Sequence, residues 1–280
     1  MSGGRGKGRS QHEAAAEEAA PSGCRLQSQR QRLIYACQRM KIAILGDIHA
    51  NAEALEAVLT AAEKAGAEGV VVLGDVVGYG ADPAACIRRL REAHVNCVLG
   101  NHDEALVDCR LARSLNSLAR DAIIRSRDMI AEDDLDYLRS FAYRHVAYGG
   151  AFAHANPIKP EEWRHMLLLS DIDWCLSRQD WRVAFVGHTH YPGIYCAREE
   201  DQVAELTSTE VAIGRHRYLI NPGSVGQPRD GDWRACYGLW DLDRQYYQLQ
   251  RVEYPVQQTQ QKIREAGWPY YLADRLSKGE

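Results

Sequence analysis

The stretch KIAILGDIHAN, residues 41–51, decides how the chain is read. Its first five residues form a short apolar run, the pattern of a buried strand, and the run stops at Gly46-Asp47. Ala52, Leu55, Val58, Leu59 and Ala62 then recur at helical spacing, and Gly66 closes that helix. The pattern repeats downstream. GVVVL (69–73) is a second apolar strand ending in Gly74-Asp75; Asp82-Pro83 opens a helix through Ile87 and Leu90; VNCVL (95–99) is a third strand followed by Gly100. A β-α-β-α-β order predicts a parallel sheet with right-handed crossovers. Ligand sites in such sheets lie beyond the carboxyl ends of the strands, where all three Gly-polar segments fall.

Working outward, residues 104–140 read as helical through Leu115, Leu118, Ala119, Ala122 and Ile123. Strands are expected near 147–153, 182–186, 218–220, 236–241 and 246–252, and closing helices over 256–266 and 270–276. The later strands are adjacent and hairpin-like, which suggests a second, partly antiparallel sheet. Trp174 and Trp181 are expected in the core. Residues 41–280 contain neither a repeat nor a linker and read as a single α/β domain. Residues 1–40 read as a poorly ordered extension: they are Gly/Arg-rich and then small and polar, without a periodic apolar face to offset the entropy of ordering. Met40 directly precedes the first strand and is a candidate alternative start.

The composition is that of a globular chain: 45% hydrophobic and 26% charged over 280 residues. No apolar run is long enough for a membrane span, and no secretory signal opens the chain. The net charge of −4 is uneven. Residues 1–40 carry seven basic and three acidic side chains, and residues 41–280 carry 27 and 35, a net of −8. An acidic body without basic-aromatic stretches argues against a long nucleic acid as partner. The eight cysteines form no C-x-x-C pair and read as reduced, mostly buried thiols of a cytoplasmic protein.

The chemistry gathers at the strand ends: Asp47 and His49 in GDIHAN, Asp75 in GDVVGYG, Asn101 and His102 in GNHD, His154 in HAN, and His188 and His190 in GHTH. Residues i and i+2 of an extended segment share a face, so Asp47 with His49, and His188 with His190, can converge. One Asp after a strand is commonly a cap, and one His is commonly a satisfied core or surface residue. Four Gly-flanked clusters, each at a strand exit, point instead to a shared site. Carboxylates, an amide and imidazoles suit manganese, iron, zinc, cobalt or nickel and suit calcium poorly. Seven such ligands are too many for one tetrahedral ion and fit two divalent ions sharing a carboxylate. With a bridging hydroxide, the pair leaves a residual charge of about +1, suited to an anionic substrate.

The ordered series D-x-H, GD, GNHD, a single His and GHTH resembles the calcineurin-like metallophosphoesterases over about residues 41–255. The resemblance implies a sandwich of two mixed sheets flanked by helices. It implies one metal on Asp47, His49, Asp75 and His190, a second on Asp75, Asn101, His154 and His188, and Asp75 as the bridge. Manganese is the leading candidate for the ions, which would activate a water for attack on phosphorus. His102 would not bind metal; it would face the phosphate and protonate the leaving oxygen or stabilise the transition state.

The second block departs from the protein-phosphatase branch, whose G-D-x-V-D-R-G reads here Gly74-Asp75-Val76-Val77-Gly78-Tyr79-Gly80. The carboxylate that orients the catalytic imidazole is replaced by Gly78, and the phosphate-gripping Arg by Tyr79. The expectation is therefore a small bacterial or archaeal type of phosphodiesterase, with a small phosphorylated substrate. A phosphomonoesterase or a nucleotide polyphosphate hydrolase on the same site is the alternative, ahead of a non-catalytic metal-binding scaffold. Further substrate contacts are expected from Tyr79, from Asn116 and Arg120 one helical turn apart, and from Asn221, Ser224 and Arg229 in NPGSVGQPRD (221–230). Trp163, Arg164 and His165 are placed on a loop at the cleft edge.

Overall fold

The computed structural model describes residues 40–197 and 203–280. The expected extension, and Cys24 and Cys37 within it, therefore lie outside the described residues, apart from Met40. Met40 joins the body, with its N–H donating to Asp243 Oδ2 at 2.9 Å and its carbonyl accepting from Leu242 N.

The opening β-α-β-α-β unit is present. Strand β1 (Lys41–Leu45) is followed by helix α1 (Ala52–Lys64), β2 (Gly69–Val72), α2 (Pro83–Glu92) and β3 (Asn96–Cys97), and the three strands pair in parallel. Asn51 caps α1 by accepting from Ala54 N at 3.1 Å. Three helices follow: α3 (Asn101–Val107), α4 (Ser117–Arg127) and α5 (Glu132–Arg139). Next come β4 (Arg144–Ala147), β5 (Gly150–Ala153), α6 (Leu169–Leu176), β6 (Val183–Phe185), β7 (Gly193–Ala197), β8 (Val203–Leu206), β9 (Glu210–Ala212), β10 (Arg217–Asn221), β11 (Ala235–Asp241) and β12 (Tyr246–Val252). Helices α7 (Val256–Glu265) and α8 (Tyr270–Asp274) close the chain.

The strands form two mixed six-stranded sheets, ordered β3-β2-β1-β11-β12-β9 and β4-β5-β6-β10-β7-β8. One sequence expectation is corrected here. The β11–β12 hairpin does not belong to the second sheet; β11 pairs antiparallel with β1, Ala43 opposite Leu239. The alternation of β1 explains the layering. Ile42 and Ile44 join Val71, Phe152, Phe185, Ile220, Trp240 and Tyr247 between the sheets. Ala43 and Leu45 turn outward, into a cluster with Leu55, Val58, Ile87 and Leu90 of the helices. A smaller cluster covers the second sheet through Ile172, Cys175 and Leu176 of α6.

Trp174 and Trp181 are half-buried rather than core, each with a guanidinium on its face: Arg164 and Arg178 over Trp174, Arg144 over Trp181, all at 5.1 Å. The six cysteines among the described residues are free; Cys86, Cys175, Cys196 and Cys236 are buried, Cys97 is half-buried and Cys109 is exposed. Among the described residues, no helix is long and apolar enough to cross a membrane.

Candidate functional site

The parallel strands of the two sheets deliver their carboxyl ends to one edge of the sandwich. Asp47, Asp75 and Asn101 follow β1, β2 and β3, and His154 and His188 follow β5 and β6. Asp47, His49, Asp75, His188 and His190 all hold left-handed backbone, with φ of 54°, 49°, 51°, 68° and 64°. That conformation is uncommon outside glycine and clusters where a site demands it. Close backbone approach is part of the same construction: a Cβ on Gly100 would fall on the Asp75 backbone nitrogen and Oδ1.

The imidazoles are locked from behind. His49 Nδ1 donates to Val77 O at 3.1 Å, His190 Nδ1 to Gln227 O at 2.7 Å and His154 Nδ1 to Leu73 O at 2.7 Å. These bonds fix the tautomers of His49 and His190 and turn both Nε2 atoms inward, where they stand 3.0 Å apart. Burial pushes the His49 and His190 pKa values well below the usual imidazole range, so both rings are neutral. Two bare lone pairs then face each other in a buried site. That is unfavourable unless a cation lies between them, and the spacing matches two ligands at a right angle around an ion bound at ~2.1 Å.

A second group stands beside the first. His154 Nε2 lies 3.0 Å from Asn101 Oδ1, 3.0 Å from His188 Nδ1 and 3.3 Å from Asp75 Oδ2. The same Asp75 Oδ2 is 3.7 Å from His49 Nε2, so this carboxylate reaches both groups. Asp47 closes the first group, with Oδ1 3.5 Å from His190 Nε2, while it accepts from His188 N at 3.0 Å. Three overlapping sets of candidate ligands result: Asp47, His49 and His190; His49, Asp75 and His102; Asp75, His154 and His188.

Electrostatics separates the two carboxylates. Burial pushes Asp47 up to about 7. Burial also raises Asp75, but His154, His102 and His49 more than offset it and hold the carboxyl well below its usual range. His154, lowered by burial and raised more by Asp75, ends at about 9. An ionised carboxylate thus faces both donor groups. The residues present therefore fit a pair of divalent cations.

His102 lies between His49 and Tyr79, with ring centroids at 4.9 and 4.8 Å. Its Nδ1 is buried without a partner, and its pKa is lowered by burial. Gly78, at φ +92°, is why no side chain orients this ring from that position: a Cβ there would stand on His102 Nδ1. The imidazole occupies the space that an aspartate would need.

Of the expected substrate contacts, Tyr79, Asn116 and Arg229 line a cleft of about 210 Å³ with Asp75, Asn101, His102, His165, His188 and His190. Asn116 also caps α4 through Ala119 N at 2.9 Å. Arg120 does not line the cleft. Asn221 and Ser224 are buried, and their polar atoms serve the loops: Asn221 Nδ2 donates to Gly187 O and Thr189 Oγ1, and Ser224 Oγ donates to Asp47 O at 2.8 Å. On the expected edge loop, His165 packs on His188 at 3.9 Å, Trp163 donates to Glu104 Oε2 at 3.0 Å, and Arg164 pairs with Asp171 away from the cleft. Two residues absent from the sequence reading hold the site together. Asp103 is fully buried and accepts from Val76 N, Val77 N and Gly100 N, tying the GD turn to the GNHD turn. Gln227 orients His190. Asp103 sits inside a motif and had a signal; Gln227 acts through its carbonyl and had none.

Comparison with known proteins returns one answer. The calcineurin-like phosphoesterase superfamily domain matches residues 40–245. An uncharacterised protein of Methanocaldococcus jannaschii is 34% identical over 243 residues, covering 85% of this chain and 98% of its own. The crystal structure of a metallophosphoesterase from Sphaerobacter thermophilus is 35% identical, with a TM-score of 0.75 over 86% of this chain and all of that one. A hypothetical protein from Pyrococcus horikoshii, 18% identical, shares the fold with a TM-score of 0.69 over 86% of this chain and 99% of its own.

Proposed function

The chain belongs to the calcineurin-like phosphoesterase superfamily, and from that premise we propose that it is a two-metal hydrolase of small phosphate esters, with diesters preferred. The observation that carries the metal assignment is the His49–His190 pair, two imidazoles held neutral with their lone pairs 3.0 Å apart. Asp47, His49, Asp75 and His190 would hold one ion, and Asp75, Asn101, His154 and His188 the other. Bound there, divalent ions supply Lewis-acid charge to the phosphoryl oxygens and lower the pKa of a water.

The chain's own residues supply the rest. His102 Nδ1 has no acceptor, and a buried N–H without one costs more than a bare lone pair. Its proton therefore belongs on Nε2, the atom left to serve the cleft, where it can be donated to the leaving oxygen. The His49 and Tyr79 rings keep the imidazole in place in the absence of a carboxylate at 78.

The diester preference rests on the poverty of cations. Arg229 is the one Lys or Arg among the described residues that line the cleft. A monoester dianion calls for more positive contacts than a diester monoanion, and Tyr79 offers only a neutral hydroxyl. The test compares kcat/KM on a matched aryl phosphodiester and aryl phosphomonoester, with added manganese and with chelator. Metal-dependent turnover with the diester ahead is expected. A clear preference for the monoester would assign the chain to phosphomonoesterases, and no metal-dependent turnover of either would remove the hydrolase reading.

A further inference from the structure

The loop after β10 carries four charged residues close together, Arg229, Asp230, Asp232 and Arg234, and three of them are already paired. Asp230 pairs with the Arg251 guanidinium, and Asp232 pairs with Arg234 at 2.6 Å and lies 3.8 Å from Arg251 Nε. Those pairings engage the two carboxylates that follow Arg229 in the loop. Among the described residues, Arg229 makes no ion pair, and its hydrogen bond is to a neutral acceptor: Nη2 donates to Gln227 Oε1 at 3.0 Å. Its Nε is buried without a partner. It lines the same cleft as His102, His190 and Asp75. A guanidinium carries five donors in a rigid fork suited to phosphate oxygens, and here most of them are unspent.

Gln227 is placed to aim that fork. Its backbone N–H is fixed by Ser224 Oγ at 2.8 Å, its carbonyl holds His190 Nδ1, and its side chain holds Arg229. The end of the chain backs the loop as well, with Gly231 N donating to Gly279 O at 3.0 Å. One loop thus braces an expected metal ligand and a free cation.

We propose that Arg229 grips a non-bridging oxygen of the substrate phosphate and that Gln227 is its positioning residue. The proposal rests on the phosphoesterase reading and deepens it: the single cationic side chain among the described residues of the cleft is given a substrate oxygen to hold, one such contact being what a diester monoanion calls for. Arg120, the other basic residue expected over the metals, is outside the cleft and is not part of it.

The experiment uses manganese-loaded full-length protein, native and as Arg229→Ala, Arg229→Lys and Gln227→Met. Inorganic phosphate binding is measured by calorimetry, and metal content by elemental analysis. Arg229→Ala is expected to retain its metal and to bind phosphate about 10- to 100-fold more weakly, the loss expected of a charge-assisted hydrogen bond. Arg229→Lys keeps the charge without the fork and is expected to fall between. Gln227→Met preserves volume and the backbone carbonyl; it is expected to raise KM for the diester with kcat, metal content and melting temperature unchanged. Unchanged phosphate affinity in Arg229→Ala, or metal lost from it, would overturn the assignment, and unchanged KM in Gln227→Met would overturn the positioning role. Native protein that binds phosphate but turns over neither ester would sink the hydrolase reading alone, because the affinity comparison still decides Arg229.

Discussion

At the scale of single residues, the site depends on where charge is shared and where space is withheld. Asp75 is the carboxylate within reach of both donor groups, so Asp75→Asn is expected to cost both metals: the two cations would lose the anion between them in a poorly screened cleft. Elemental analysis of the purified variant checks this, and two full equivalents of metal would refute the bridging role. His102→Ala is expected to keep metal and lose about 10²–10⁴-fold in turnover. Gly78→Asp, which restores the carboxylate of the protein-phosphatase pattern, is expected to behave like His102→Ala and not like a gain. Its Cβ would displace the ring, and an L side chain is strained at φ +92°. Wild-type turnover in Gly78→Asp would show that the imidazole can be held elsewhere. Most donors were legible in sequence because they follow an apolar run and a glycine, a pattern set by local backbone; His154 follows its apolar run directly. The roles of Asn221 and Ser224 were not, since a polar side chain in a turn-rich loop reads alike whether it faces a ligand or, as here, a carbonyl of another loop.

Among elements, strand β6 connects the core to the site. Phe185 is fully buried, stacked on Phe152 at 5.3 Å and packed on Trp240 at 5.1 Å, two residues before the GHTH turn begins. Phe185→Ala is expected to destabilise the fold by about 3–5 kcal/mol, as measured by denaturant unfolding, since the cavity would open between two sheets that cannot both relax into it. A loss well below that would mean that the sheets close the gap. The parallel strands were readable because their apolar runs alternate with helices. Strands β7, β8 and β9 were not read, and the β11–β12 hairpin was assigned to the wrong sheet. A hairpin carries its own register in sequence but no mark of which sheet edge it will join, and β11 is fixed only by its pairing to β1, almost two hundred residues earlier.

For the whole molecule, the body is closed by its own termini: Met40 O accepts from Leu242 N, and Gly279 O accepts from Gly231 N. The superfamily match also begins at residue 40. A chain started at Met40 is expected to fold with nearly unchanged melting temperature and turnover, and a large drop in melting temperature would show that residues 1–39 pack on the body. The placing of the donors has a consequence for how the protein would come to hold metal. His49 and His190 touch across 141 positions of sequence, and Asn51 and Gly226 across 175. No short segment of the chain contains a complete ligand set, so an unfolded or half-synthesised chain offers an ion only scattered pairs. Contacts of such long range form late and slowly. On the two-metal reading proposed above, metal would be not a guide to folding but a latch that engages once both sheets have met, with nearly all of its binding energy falling on the finished state. Metal scarcity should leave folded but easily opened molecules, rather than misfolded ones.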